Sequence, residues 1–120
     1  MAIRNVLAGV AVKDLGAATA WYGKLIGSPP NSRPMADLAE WEFARGGWLQ
    51  VFEDAARAGS SSVTFAEDDL DARLADLEKL GIGVGQTADS DYVRVAIIAD
   101  PDGNQLVFAQ ARTANNRAAS

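Results

Sequence analysis

Apolar positions recur along this chain with two periods, and the two periods alternate in the same order twice. Val6 to Val12 is a short apolar run with small residues and predicts a strand. Asp14 follows as a helix cap. Ala17, Ala18, Trp21, Tyr22 and Leu25 then recur at helical spacing, and Gly27 suits the C-terminal stop. Trp21 and Tyr22 are expected to pack the helix on a sheet. Pro29-Pro30-Asn31-Ser32-Arg33-Pro34 cannot be helical and predicts a loop with at most an irregular edge strand. Ala39 to Ala44 alternates at period two, with Trp41 and Phe43 on one face. Arg45-Gly46-Gly47 turns the chain into a partner strand, Trp48 to Phe52. Residues 54–61 are small and polar and read as a linker.

A second pass begins at Ser62-Val63-Thr64-Phe65, a strand. Asp68 or Asp69 caps a helix with Leu70, Leu74 and Leu77 on one face, and Gly81 ends it. Asp69 and Arg73, four apart, are placed to pair on its exposed side. Val84 falls in a short strand, Val93 to Ile98 in a longer one, and Leu106-Val107-Phe108 closes the set. Between these last two strands lies Asp100-Pro101-Asp102-Gly103-Asn104. Pro101 fixes φ, Asp102 favours a turn and Gly103 supplies a positive φ, so the five residues predict a hairpin loop. Residues 111–120 lack periodicity and predict a flexible tail.

The two passes match in detail. Val12-Lys13-Asp14-Leu15-Gly16-Ala17 answers Glu67-Asp68-Asp69-Leu70-Asp71-Ala72. Lys24-Leu25-Ile26-Gly27 answers Lys79-Leu80-Gly81, and Gly47…Val51-Phe52 answers Gly103…Val107-Phe108. A period of roughly 55 residues, present twice, is too long and too few for a solenoid. It predicts an α+β domain over residues 1–110, built from duplicated βαβββ modules at about 3–54 and 61–110. Side by side they are expected to form one curved mixed sheet of about eight strands, with helices on the convex face and a groove on the concave one.

Composition narrows the chemistry. There is no cysteine, so disulfides and thiolate metal sites are excluded. There is no histidine either, which removes the commonest metal ligand and the usual general base at neutral pH. A net charge of −5 without a basic patch argues against nucleic acid and is compatible with a cationic small molecule. No apolar run approaches the ~20 residues of a membrane span. Met1 to Asn5 has no secretory pattern, which points to the cytoplasm.

The duplicated module, the Val-Lys-Asp-Leu…Trp-Tyr…Leu-Ile-Gly opening and the late Asp-Pro-Asp-Gly-Asn together resemble the vicinal oxygen chelate superfamily. That group includes glyoxalase I, bleomycin resistance proteins and extradiol dioxygenases. The resemblance spans about residues 3–110. It implies four ligands for a divalent metal on the concave sheet, and by position these fall on Leu7, Gln50, Ser62 and Val107. Leu7 and Val107 have no donor atom, Gln50 offers a neutral carbonyl and Ser62 a weak hydroxyl. The expectation is therefore a member without the metal, with no cofactor and no catalytic set of the usual kind.

With the family's arrangement, alternation turns Leu7, Gly9, Trp48, Gln50, Phe52, Ser62, Thr64, Val93, Val95, Ile97 and Val107 towards the groove, and Trp41 and Phe43 are counted with them. Such a surface suits a flat, hydrophobic ligand held by stacking and a few hydrogen bonds. The candidate binding residues are thus Leu7, Trp41, Phe43, Trp48, Gln50, Phe52, Ser62, Val95, Ile97 and Val107. The leading expectation is a metal-independent small-molecule binding protein of the bleomycin-resistance type, a homodimer by resemblance, with an aromatic or hydrophobic ligand for which a positive charge is compatible. One alternative is a related lyase or isomerase with an absent or atypical metal site, such as Gln50 with Glu53 and Asp91. Another is a non-catalytic interaction subunit.

Overall fold

A computed structural model describes residues 2–112 of the chain; the tail predicted at 111–120 starts too early, because Ala111 still pairs within the last strand, and its residues 113–120 lie outside the described ones. The element order is β1 (Leu7–Val12), α1 (Leu15–Ile26), β2 (Ser32–Met35), β3 (Leu38–Glu42), β4 (Trp48–Glu53), β5 (Ser62–Ala66), α2 (Leu70–Lys79), β6 (Gln86–Asp89), β7 (Val93–Ala99) and β8 (Gln105–Ala111). The strands form two four-stranded sheets, ordered β1-β4-β3-β2 and β5-β8-β7-β6. In each, one parallel pair (β1 with β4, β5 with β8) is followed by two antiparallel ones. The α+β class and the duplicated βαβββ module are as the sequence predicts. Among the described residues no helix is long and apolar enough to cross a membrane.

By its contacts the chain divides into two compact units. One runs from the N-terminus to Ser61 and takes in Pro101–Asn104. The other comprises Ser62–Asp100 and the chain from Gln105 on.

In the first unit α1 starts where Asp14, in extended backbone, accepts a hydrogen bond from Ala17 N–H at 3.1 Å. It stops at Gly27, whose φ of 94° suits a residue without Cβ. Its buried face carries Leu15, Ala18, Tyr22 and Leu25, against Val10, Val12, Leu49 and Val51 in the strand core. The second unit repeats the plan. Asp69 accepts from Ala72 N–H at 3.1 Å, and Leu70 and Leu77 are buried with Ala96, Ile98, Leu106 and Phe108 in the same core. One device is duplicated though its residues differ. Glu53 Oε1 accepts from Leu15 N–H at 3.0 Å, and Gln110 Oε1 accepts from Leu70 N–H at 2.7 Å. Each satisfies a first-turn donor that the helix cannot use itself.

Several local expectations change. Asp69 is occupied as a cap, and Arg73 instead lies 5.2 Å over the Phe108 ring and donates to Glu67 at 2.9 Å. Val84 stands outside any strand, between Gly83 and Gly85, and the strand begins two residues later. That strand, Gln86–Asp89, is exposed throughout and has no apolar alternation to announce it. The irregular edge strand at Ser32–Met35 is present, with a register shift between its two paired ends.

The loop residues Pro101–Asn104 pack within the first unit. Asn104 is fully buried; its Nδ2 donates to Ala11 O at 2.8 Å and its Oδ1 accepts from Ser61 N–H at 2.9 Å. Asp102 Oδ2 accepts from Lys13 N–H at 3.0 Å, and Ser61 Oγ accepts from Ala11 N–H at 3.1 Å.

Candidate functional site

In the first sheet the register sets three rows across β1, β4 and β3: Leu7–Trp48–Glu42, Gly9–Gln50–Glu40 and Ala11–Phe52–Leu38. Alternation turns these residues away from α1, while Leu49 and Val51 point into the core. Trp48, Gln50 and Phe52 are half-buried, and Leu7 is 41% exposed.

The middle row holds the polar chemistry. Gln50 Nε2 donates to Glu40 Oε2 at 2.6 Å. Among the described residues no donor reaches the amide oxygen of Gln50. Glu40 was not among the residues expected from the sequence. Its signal was present, because a hairpin that sets Leu49 in the core sets its partner Trp41 there too, and Glu40 and Glu42 on the other side.

Phe52 is anchored rather than free. A Cβ on Gly9 would come 3.3 Å from Phe52 Cε1, so the missing side chain makes room for this ring. The Arg57 guanidinium carbon also lies over this ring, 5.4 Å from its centroid.

Trp41 is removed from the candidate face. It is 1% exposed, its ring centroid is 6.2 Å from that of Tyr22, and its Nε1 donates to Ser28 O at 3.0 Å. It belongs to the core beneath α1. Phe43 lies past the end of β3, at the turn, where its N–H donates to Gly47 O at 2.8 Å. The aromatic alternation is real up to Trp41, but it marks the packed side of the strand.

The second sheet is described by its own rows: Ser62–Gln105–Ala99, Thr64–Val107–Ile97–Gln86, and Ala66–Ala109–Val95–Ala88. Val95, Ile97 and Val107 are half-buried on the face away from α2, and Ser62 is exposed. Ser62 Oγ accepts from Gln105 Nε2 at 3.2 Å. The pseudo-equivalent of the Gln50–Glu40 pair is therefore Val107–Ile97. One sheet carries a polar pair at its centre, and the other an apolar floor.

A metal fits neither donor set. Leu7 and Val107 offer no donor atom, which leaves only the Ser62 hydroxyl, held by Gln105, and the neutral amide oxygen of Gln50, too few donors for a divalent ion. The atypical set of Gln50, Glu53 and Asp91 also fails. Glu53 alternates to the opposite side of β4 from Gln50, where it serves the start of α1. Among the described residues no three His, Cys, Asp or Glu side chains are grouped to hold an ion.

A family model for the glyoxalase-like domain matches residues 7–109. The chain belongs to this family. The glyoxalase-like domain is thus a member of the vicinal oxygen chelate superfamily. It is similar to a glyoxalase/bleomycin resistance protein from Catenulispora acidiphila DSM 44928, at 34% identity over 92% of this chain and 100% of that one, with a TM-score of 0.81. It is also similar to TnmS3, an antibiotic binding protein from Streptomyces sp. CB03234, at 26% identity over 93% of this chain and 99% of that one, again with a TM-score of 0.81. Lactoylglutathione lyase from Agrobacterium tumefaciens shares the fold, at 20% identity over 92% and 94% of the two chains and a TM-score of 0.74. No curated protein matches the sequence.

Proposed function

We propose that this glyoxalase-like domain is a small-molecule binding protein that works without a metal. Its ligand is aromatic or hydrophobic and is held against the face of the first sheet turned away from α1. The observation that carries this reading is the Gln50–Glu40 pair beside Trp48, in a register where the metal-binding pattern of the superfamily would need charged or imidazole ligands. Trp48 supplies a stacking surface, Gln50 a directional polar group and Glu40 a negative charge. The net charge of −5 favours a cationic ligand over an anionic one. The similarity to TnmS3, described as an antibiotic binding protein, supports a binding role. Val95, Ile97 and Val107, together with the hydroxyl of Ser62, are proposed as a further contact surface for the same class of ligand. A cytoplasmic homodimer is the proposed working form, to be checked by sedimentation.

The test is elemental analysis of purified protein combined with a thermal-shift screen of planar aromatic compounds. The expected result is stabilisation by an aromatic ligand at full strength in the presence of a chelator. Stoichiometric metal whose removal abolishes ligand binding would overturn the reading. Turnover of a hydroxy-carbonyl or thiol-adduct substrate by the metal-free protein would favour the enzyme alternative.

A further inference from the structure

We infer that Glu40 determines specificity by fixing the polarity of Gln50, so that the site favours ligands presenting a hydrogen-bond donor over those presenting only acceptors. This rests on the binding role proposed above. An amide side chain can present either its oxygen or its nitrogen, and the choice is set by its neighbours. Here the neighbour decides it. Glu40 Oε2 lies 2.6 Å from the Gln50 amide, and a carboxylate oxygen accepts but does not donate. The Gln50 NH2 must therefore face Glu40, and Oε1 is left for a ligand. Among the described residues Oε1 has no donor of its own. The two groups are directly opposed in the β3–β4 register, so the backbone holds them together.

The consequence is a polarity filter. A hydroxyl or N–H on an aromatic ring stacked at Trp48 can donate to Gln50 Oε1. An ether or carbonyl at the same place faces that oxygen and has only the second N–H of the Gln50 amide, turned towards the Glu40 side, to accept from, and a carboxylate meets the Glu40 charge as well. The second sheet has no counterpart, because its equivalent positions are Val107 and Ile97.

The test uses three matched probes: 2-naphthol, its ether 2-methoxynaphthalene, and 2-naphthoate. Binding to the full chain is read by NMR from the Trp48 indole N–H and the Gln50 side-chain amide. Naphthol and its ether are both uncharged, so their ratio is independent of overall protein charge. We expect naphthol to bind at least tenfold more tightly than the ether. In Glu40→Gln the partner can donate as well as accept, so the Gln50 amide is free to reverse. The naphthol-to-ether ratio should then fall below threefold. Gln50→Leu removes the acceptor altogether and should give the same collapse by a different route. Equal affinity for naphthol and its ether in the unmodified protein overturns the filter but leaves the binding role standing. An unchanged ratio in both variants overturns it too. Failure of all three probes to move Trp48 overturns the aromatic binding face and the filter with it.

Discussion

Asn104 donates its side-chain amide to the carbonyl of Ala11 at 2.8 Å, across 93 residues of sequence. The same side chain accepts from Ser61 N–H, so one buried amide satisfies two backbone groups that no ladder partner serves. The Asp-Pro-Asp-Gly-Asn loop is therefore more than a reversal between β7 and β8. Pro101 and Gly103 shape it, while Asp102 and Asn104 bind it to the end of β1 and the residues before β5. Asn104→Ala should cost about 3 kcal/mol, because it leaves a buried donor and a buried acceptor unpaired. Urea denaturation measures this. A loss below about 0.5 kcal/mol would mean that water replaces both bonds.

Gly59 tests the same junction from the other side. Its φ is 93°, and a Cβ there would lie 2.7 Å from Asp102 O. Gly59→Ala thus meets both a disfavoured backbone conformation and a backbone atom that the loop holds in place. The expected loss exceeds the ~1 kcal/mol of the conformation alone. If Gly59→Ala costs no more than that, the loop moves aside readily and the Asn104 anchor is weaker than its geometry implies.

Two tryptophans should separate stability from binding. Trp41→Phe removes a bond to Ser28 O and part of a fully packed ring, so it should lower stability by about 2 kcal/mol while leaving ligand affinity within threefold. Trp48→Ala should leave Tm nearly intact and reduce affinity tenfold or more. Thermal denaturation and titration of the same two variants decide the matter. A larger effect of Trp41→Phe on binding than of Trp48→Ala would return Trp41 to the site.

These residues also show what the sequence could and could not convey. Asp14 and Gly27 mark α1 to the residue because cap chemistry is local. The faces of β4, β7 and β8 were legible from alternation, and that put Gln50 on the side of β4 opposite Leu49 and Val51. Alternation alone does not say which side of β3 is packed; the answer needed the pairing of Trp41 with Leu49, which is a property of the hairpin. Gln86–Asp89 was invisible because an exposed edge strand needs no apolar residue. The bonding of Asn104, Glu53 and Gln110 is not legible in the sequence because their partners are distant along the chain, and no local pattern encodes a contact of that kind.

Thr19 offers a gain in stability. Its Oγ1 is buried on α1 and lacks a hydrogen-bond partner among the described residues. Thr19→Val keeps the shape and the β-branch while removing the desolvated hydroxyl, and helix propensity changes little. The expected stabilisation is about 1 kcal/mol by denaturant titration. Thr19→Ser keeps the hydroxyl and loses the methyl, and should not stabilise. If Thr19→Val destabilises, the hydroxyl has a partner such as a bound water.

Glu67 gives a pH dependence with a definite sign. Its carboxyl is raised above the ordinary 4.5, chiefly by burial, and the attraction and hydrogen bond of Arg73 only partly offset this. Between 4.5 and the raised value the folded state binds more protons at this site than the unfolded state. Stability contributed by this group therefore falls as pH rises through that window, and is flat above it. Other carboxylates titrate nearby, so the informative quantity is the stability of the native chain minus that of Glu67→Gln, measured by urea titration across the acid range. Gln retains an acceptor for the Arg73 guanidinium but does not titrate. The difference should decrease with rising pH. A difference that instead increases would mean that the ion pair with Arg73 outweighs burial, and that Glu67 is held as a carboxylate by the fold.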